Sequence, residues 1–295
     1  MMSSARVLIG QPFRGLVPRG EQRVIYDLFT PILLELGQMQ RSIRMGIKTL
    51  LERKRLERAL RTGDLLIVAA PEQRLYYQDY ASRAGIEIGE NWIEVPFGIE
   101  RRDIPRLLAA SPPELVWNGG VWPWMDADLA VSAVRRLNRE GFYCRLIFSG
   151  TKRPLLSQTG RDSVGDDVVE WNEAWTPYEE RGKRLAKARA MIMLHHATPE
   201  GEHSYRIRFA DAMWAKLPVI ATRGGAAARI IEKEGLGLVI DAEDEDQATE
   251  AIRRMLEDDV FHASCVSSLE RVREGFHWDR VTAPLRDAVE TLIRE

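Results

Sequence analysis

The stretch AMIMLHHATPEGEHSYRIRFADAMWAKLPVIATRGG, Ala190–Gly225, decides the fold. It opens on an apolar run, passes through a loop of histidines and acids, enters an amphipathic helical pattern, and returns to an apolar run before Gly224–Gly225. Short, continuously apolar runs on either side of an amphipathic helix are the mark of parallel strands buried on both faces. The same unit repeats outward in both directions. Upstream come LVWNGG, a helix over Ala127–Glu140, YCRLIFSG, a polar loop and a helix over Tyr178–Arg189; downstream come a helix over Ala226–Glu234, GLVID and a helix over Asp246–Glu257. From Leu115 onward the chain reads as a parallel α/β sheet.

The front is less regular. RVLIG (Arg6–Gly10), RVIYDLF and DLLIVAA (Asp64–Ala70) read as buried strands, and Pro31–Thr62 as one long helix capped by Thr30 with Pro31 in its first turn. The second half of that helix is basic and amphipathic. PEQRLYYQDYASRAG is a helix opening on Pro71, and NWIEVPFGIE ends in a turn where Gly98 tolerates a positive φ. RRDIPRLLAASPPE, with three prolines, reads as a linker, and RVTAPLRDAVETLIRE as a closing helix.

The totals exclude several classes. The chain has 295 residues, enough for about two domains. With 42 basic against 44 acidic residues it has no global pull toward nucleic acid. Its two cysteines, Cys144 and Cys265, make neither a disulfide framework nor a zinc motif, which suits a reducing compartment. No signal-type segment and no run of membrane-spanning length occurs, so the expected setting is the cytoplasm, with membrane contact at most peripheral.

In open α/β sheets ligands bind beyond the carboxyl ends of the strands, so those loops hold the candidates. Gly119–Gly120 precede a helix starting near Asp126, which is either an anion site or a tight turn capped by that aspartate. Lys152 and Arg153 follow the next strand and are either diphosphate ligands or solvated charges. His195 and His196 end a strand ahead of Glu200 and Glu202; without a His-x3-His helix pair, one histidine facing the crevice and the other packed inside is expected rather than a metal. Asp211 falls mid-helix on SYRIRFADAMWAKL, where Arg206 and Arg208, about 200° apart, cannot share a face. Gly224–Gly225 form a second candidate anion nest. Glycines, bases, acids and a histidine converging on one rim point to an anionic, hydroxyl-rich ligand. No G-x-G-x-x-G supports a dinucleotide oxidoreductase.

These segments, in this order over about Ile93–Asp246, resemble the C-terminal domain of retaining glycosyltransferases of the GT-B fold, family four: VPFGIE, WNGGVWPWMD, FSGTKRP, ERGKRLAKARAMIMLHHATPE, RIRFADAMWAKLPVIATRGG and GLGLVIDAEDED. The resemblance implies two Rossmann-like units, the C-terminal one a complete parallel sheet flanked by helices and the N-terminal one truncated. It divides the chain into an acceptor-side domain at 1–97, a nucleotide-sugar-binding domain at 98–275 and a closing helix at 276–295 that packs back on the first domain. Residues 1–97 resemble only the later half of the family's first domain. That leaves a fragment, a split enzyme completed by a partner, or a reduced working domain; a partial sheet would expose an edge and an apolar face and favour a homodimer or partner subunit.

The resemblance also implies roles. The family's motif is a glutamate, seven residues, then a second acid that binds the ribose; Asp211 matches the second. Ten residues separate Glu200 from it and eight separate Glu202, so neither keeps the spacing. A subset of the family fits better, with His195, Glu200, Arg206, Arg208 and Asp211 in its pattern, and this favours Glu200 as the acid facing the donor sugar. The usual Arg and Lys of the diphosphate site are missing from NGGVWPW, leaving Lys152 or Arg153 with the backbone of Gly119, Gly120, Gly224 and Gly225. The implied activity is metal-independent transfer of a sugar, with retention, from a nucleoside-diphosphate sugar to a glycan, lipid-linked or small-molecule hydroxyl, without a cofactor, in polysaccharide biosynthesis. The alternatives are a nucleotide-sugar-binding subunit that needs a second chain, and a sugar-nucleotide epimerase.

Overall fold

The computed structural model describes residues 6–12, 20–104, 111–150, 167–172 and 174–294. The chain divides into two compact units: Met1–Gly98 with Glu202–Tyr205 and Trp278–Glu295, and Ile99–Gly201 with Arg206–His277.

In the first unit β1 (Val7–Gly10), β2 (Arg23–Asp27), β3 (Leu65–Val68) and β4 (Trp92–Glu94) form an all-parallel sheet in the order β1-β2-β3-β4. Its helices are α1 (Ile32–Gln38), α2 (Ile43–Thr62) and α3 (Pro71–Arg83). The expected single helix from Pro31 to Thr62 is broken: Met39 is extended, and Ser42 caps α2 by accepting the Met45 N–H at 3.1 Å. The Thr30 hydroxyl turns to the Glu35 carboxylate instead of capping α1. One face of the sheet packs on Leu56, Ala59 and Leu60 of α2 and Tyr77 and Ala81 of α3. The other holds Ile25, Leu65 and Ile67 against Leu285, Ala288, Val289 and Leu292 near the end of the chain. Much of the apolar face expected to lie open is thus covered from within the unit, while Ile9 of β1, in register with Ile25, stays half exposed. Gly98 does not adopt a left-handed φ; it is needed for close approach, since a Cβ there would sit 2.4 Å from the Trp278 ring.

The second unit carries β5 (Glu114–Trp117), α4 (Ala127–Arg139), β6 (Arg145–Phe148), β7 (Val169–Trp171), α5 (Arg181–Leu185), β8 (Ala190–Met193), α6 (Pro199–His203), α7 (Arg208–Ala215), β9 (Val219–Thr222), α8 (Gly225–Glu234), β10 (Gly237–Ile240), α9 (Glu245–Glu257) and α10 (Asp259–Val272). The last two residues of α6, Glu202 and His203, fall in the Glu202–Tyr205 segment assigned to the first unit. Two helices close the chain in the first unit, α11 (Trp278–Val281) and α12 (Ala283–Arg294). The second sheet is wholly parallel, in the order β10-β9-β8-β5-β6-β7. Every residue of β5, β8 and β9 is buried, as strands covered on both faces must be. α4 lays Leu129, Ala130, Ala133, Val134 and Leu137 on the sheet, and Asp126 caps it through the Leu129 N–H at 2.9 Å.

Two expected helices shorten and one strand is added. The helix over Tyr178–Arg189 becomes a 3-10 turn at Tyr178–Glu180 and α5. The helix over SYRIRFADAMWAKL starts only at Arg208, because Arg206 takes a left-handed φ of 51°. The strand β7 adds an edge that the sequence pattern did not single out.

Candidate functional site

The strand order places a topological switch in the second unit. The chain runs from β5 outward through β6 and β7, then crosses to β8 on the other side of β5 and continues through β9 and β10. The loops leaving β5 and β8 part in opposite directions, and a crevice opens at their carboxyl ends. Those two loops are tied together. Asp126 N–H donates to the Leu194 carbonyl at 3.0 Å, His196 N–H to the Trp124 carbonyl at 3.0 Å, and Met125 pairs with His195 as an antiparallel bridge.

Glycines shape the rim. Gly119 has φ 99°, and the Gly120 carbonyl accepts the Trp117 indole N–H at 3.3 Å. Gly150, at the end of the adjacent β6, admits no side chain: a Cβ would fall 2.9 Å from the Trp175 ring and 3.1 Å from the Gly119 Cα. Trp175 thus lies against both glycine turns while half exposed. Beside it is a cleft of about 400 Å³ lined by Asn172, Trp175, Thr176, Lys183 and Arg184 among others. Gly224 and Gly225, with φ 102° and 70°, start α8 after β9.

Asp211 is anchored in a polar chain across three elements. Asn118 Nδ2 donates to Asp211 Oδ2 at 2.8 Å, Arg181 Nε to Asp211 Oδ1 at 3.1 Å, and the Ser149 hydroxyl to Asn118 Oδ1 at 2.9 Å. Arg181 also stacks over the Trp214 ring, 4.3 Å from its centroid. Burial raises the Asp211 pKa despite the opposing pull of Arg181 and Asn118.

Next to it lies a buried charged cluster of His195, Glu200, Arg206 and Arg208. The Arg206 guanidinium donates to the carbonyls of Thr222 (2.7 Å), Arg223 (3.3 Å) and Gly201 (3.4 Å). Arg208 Nη2 donates to the Gly120 carbonyl at 2.9 Å, and its guanidinium lies 5.3 Å from the centroid of the Trp117 ring. Arg208 Nη1 is buried with no hydrogen-bond partner among the described residues. Burial lowers the Arg208 pKa to about 10, against the attraction of Asp211 and Glu200. Burial, with Arg206 and Arg208 nearby, drives His195 well below the ordinary imidazole range. The ring is neutral, and the Met193 carbonyl 3.3 Å from Nδ1 can only accept. Nδ1 therefore carries the proton and Nε2 is the acceptor nitrogen.

The expected site residues fall as follows. His195, Glu200, Asp211, Gly119 and Gly120 come together at the β5–β8 crevice, and Gly224 and Gly225 lie beyond β9 on the same carboxyl end of the sheet. Lys152 and Arg153 lie outside the described residues. Glu202 is exposed in the Glu202–Tyr205 segment. His196 is the surface histidine, 3.6 Å from Asp126 and 3.7 Å from Glu243, while His195 is the buried one. The separation of Arg206 and Arg208 onto opposite faces is overturned. Arg206 precedes α7, so the helical angle does not apply, and both guanidiniums act on the His195 ring. Asn118, Trp175 and Arg181 were not singled out by sequence reasoning. Asn118 directly precedes the glycine pair, a signal that was available. Among the described residues no group of three His, Cys, Asp or Glu side chains could hold a metal ion.

Comparison with known proteins bears on the family and the fold. Residues 112–258 match the family model described as glycosyl transferases group 1. No curated protein matches the sequence. Among solved structures the chain is similar to a sucrose-phosphate synthase from Thermosynechococcus elongatus, at TM-score 0.67 and 15% identity over 98% of this chain and 74% of that one. It is similar to HepE from Anabaena in complex with UDP-glucose, at TM-score 0.66 and 15% identity over 92% and 72%. It is also similar to a point mutant of TarM from S. aureus in complex with fondaparinux, alpha-GlcNAc-glycerol and UDP, at TM-score 0.69 and 14% identity over 90% and 50%. The chain thus spans half of the TarM chain. At these identities the likeness establishes the fold.

Proposed function

Residues 112–258 place the chain among the group 1 glycosyl transferases, and from that premise we propose that it moves a sugar from a nucleoside-diphosphate sugar to a hydroxyl acceptor, with retention and without a metal. The observation that carries the reading is Arg208: a buried guanidinium under the Gly119–Gly120 turn with Nη1 unbonded among the described residues. A cation held at that crevice is a ready ligand for an anion.

The geometry supports the following roles. Arg208 and the backbone N–H groups of Gly119, Gly120, Gly224 and Gly225 would take the diphosphate, the part assigned on sequence to Lys152 or Arg153. Asp211, already oriented by Asn118 and Arg181, would accept from the ribose hydroxyls with its remaining lone pairs. Glu200 and the Nε2 of His195 would accept from the donor sugar's hydroxyls. The acceptor oxygen attacks C1 while the C1–oxygen bond to the diphosphate breaks, the acceptor proton leaving with the departing nucleotide. The transition state has oxocarbenium character, and the protein's main contribution is stabilising the negative charge that builds on the diphosphate. A lipid-linked or glycan hydroxyl in polysaccharide biosynthesis is the acceptor class that suits such a transferase.

The test is donor binding followed by turnover. UDP-, GDP- and ADP-sugars are screened for a thermal shift with the wild-type chain and with Asp211→Ala and Glu200→Ala, then assayed for nucleotide release. One donor class should stabilise the wild type, and both variants should weaken binding or turnover. Unchanged behaviour in both would refute the site assignment. Donor binding with neither transfer nor hydrolysis would instead favour a nucleotide-sugar-binding subunit.

A further inference from the structure

The outward face of α2 is the largest feature the donor site leaves unexplained. At 100° per residue, Ile43, Ile47, Leu50, Leu51, Lys54, Arg58 and Arg61 fall within an arc of about 100°. Leu56, Ala59 and Leu60 lie opposite and pack on the sheet. The arc is sorted along its length. Its amino-terminal two turns are apolar and open to solvent: Ile43 is 87% exposed, Ile47 57%, Leu50 52% and Leu51 48%. Its carboxyl-terminal half is basic and also exposed.

Charge adds to the pattern. Between Arg41 and Thr62 there are eight basic residues (Arg41, Arg44, Lys48, Arg53, Lys54, Arg55, Arg58, Arg61) and two acids, Glu52 and Glu57. Both acids are engaged within the unit. Glu52 is buried and pairs with Arg55 at 2.9 Å; Glu57 accepts the Tyr80 hydroxyl at 3.1 Å and lies 3.8 Å from Arg61. A chain that is nearly neutral overall thus gathers an excess of six positive charges over Arg41–Thr62, five of them on the helix itself.

We propose that this face of α2 docks onto an anionic lipid surface, with Ile43, Ile47, Leu50 and Leu51 entering the headgroup boundary and Lys54, Arg58 and Arg61 meeting lipid phosphates. An apolar stripe with a basic flank is the pattern of helices that lie in the plane of a membrane interface. Two other occupants fit less well. A second copy of the chain would set one basic helix against another. A purely electrostatic partner such as nucleic acid gives four exposed aliphatic side chains nothing to do. Among the described residues no helix is long and apolar enough to cross a membrane, so the attachment is at the surface. The proposal is independent of the donor site, and either can fail alone.

The experiment is co-sedimentation of the full chain with phosphatidylglycerol/phosphatidylcholine vesicles and with pure phosphatidylcholine vesicles. Binding should be at least about tenfold stronger to the anionic vesicles and should fall as salt rises from about 0.1 M to about 0.5 M. The triple change Ile43→Ser, Ile47→Ser, Leu50→Ser and the pair Lys54→Glu, Arg58→Glu should each reduce it about tenfold or more. All five side chains are exposed, so far-UV circular dichroism and thermal melts should match the wild type. A second readout places a polarity-sensitive dye at Leu50→Cys, the two native cysteines being buried; its emission should shift to the blue on anionic vesicles. Equal binding to both vesicle types, binding untouched by the variants, or a dye that stays in water would overturn the proposal. So would a dimer in light scattering that Ile47→Ser dissociates, since the second copy would then be the occupant.

Discussion

Replacing Arg208 by methionine separates what this arginine does for the fold from what it does for a ligand. Methionine keeps most of the apolar stem but removes the guanidinium head and its charge. Burial lowers the guanidinium from its ordinary 12.5 to about 10, so at neutral pH its charged form is disfavoured in the folded state by about 3 kcal/mol. The sign is that of a base with a depressed folded pKa: the penalty is present throughout the pH range below 10. Removing the charge lifts that penalty. Against it stands the hydrogen bond to the Gly120 carbonyl at 2.9 Å, whose loss leaves a buried acceptor and costs about 1–3 kcal/mol. The balance runs from about 0 to about +2 kcal/mol, so the ligand-free variant should melt at the wild-type temperature or a few degrees above it. Donor binding should move the other way. Truncating one member of a buried charged pair costs about 2–5 kcal/mol, and the lower figure is about a thirtyfold loss of affinity. At a donor concentration of about 100 times the wild-type Kd, the wild type gains about 2.7 kcal/mol of stability while the variant gains about 0.9 kcal/mol. Thermal melts with and without the donor sugar measure both quantities. A variant that is clearly destabilised without ligand yet keeps the full donor shift would refute the reasoning, because Arg208 would then be a structural cation.

Gly150→Ala should weaken donor binding and cost about 1–3 kcal/mol of stability, since the new Cβ lies 2.9 Å from the Trp175 ring and 3.1 Å from the Gly119 Cα; donor titration and a thermal melt measure both. Gly98→Ala brings a Cβ within 2.4 Å of Trp278 and should destabilise the first unit by a similar amount, read from denaturant melts. Asp27 is raised from 3.8 to about 6 by burial. Its ionisation opposes folding as pH rises through that window, so Asp27→Asn should stabilise the protein by up to about 3 kcal/mol at pH 7.5 and by less than about 1 kcal/mol at pH 4; melts at the two pH values decide. A Ser42→Ala change should destabilise α2 by about 1 kcal/mol through loss of its cap to Met45, seen in urea unfolding.

Which features were legible in the sequence follows from how local their causes are. The α/β alternation from Leu115 onward is written in continuous apolar runs, and β5, β8 and β9 are fully buried because such runs have nowhere else to go. Asp126 as a cap needs only its own helix. The break after Gln38 was missed because an apolar stripe on both sides masks it, although Ser42 is an ordinary cap. β7 was missed because three residues between polar stretches give no periodicity to count. The arginines failed for a different reason: projecting Arg206 and Arg208 on one helix assumes that the helix contains both, and a left-handed residue at Arg206 ends that assumption. Nothing local links Arg181 to Asp211, thirty positions away; that contact exists only once β8 and β9 have brought α5 and α7 together.

The two buried arginines carry the same charge but are placed for different tasks. Arg206 reaches the carbonyls of Thr222, Arg223 and Gly201, which fixes the end of β9 ahead of Gly224–Gly225. It acts within the protein. Arg208 reaches one carbonyl, Gly120, and leaves its other amino group, Nη1, buried with no hydrogen-bond partner among the described residues. Glu200 and Asp211 lie close enough to attract it, which holds the cation in a charged state that burial alone would disfavour. A ligand anion bound there as proposed would meet a group already desolvated and already oriented, so little reorganisation would remain to be done on binding. The same arrangement explains why an acidic pair surrounds what is proposed as an anion site. On the proposed reading the acids favour the charged guanidinium before the diphosphate arrives, and they would then be placed to receive the hydroxyls of the ribose and the sugar.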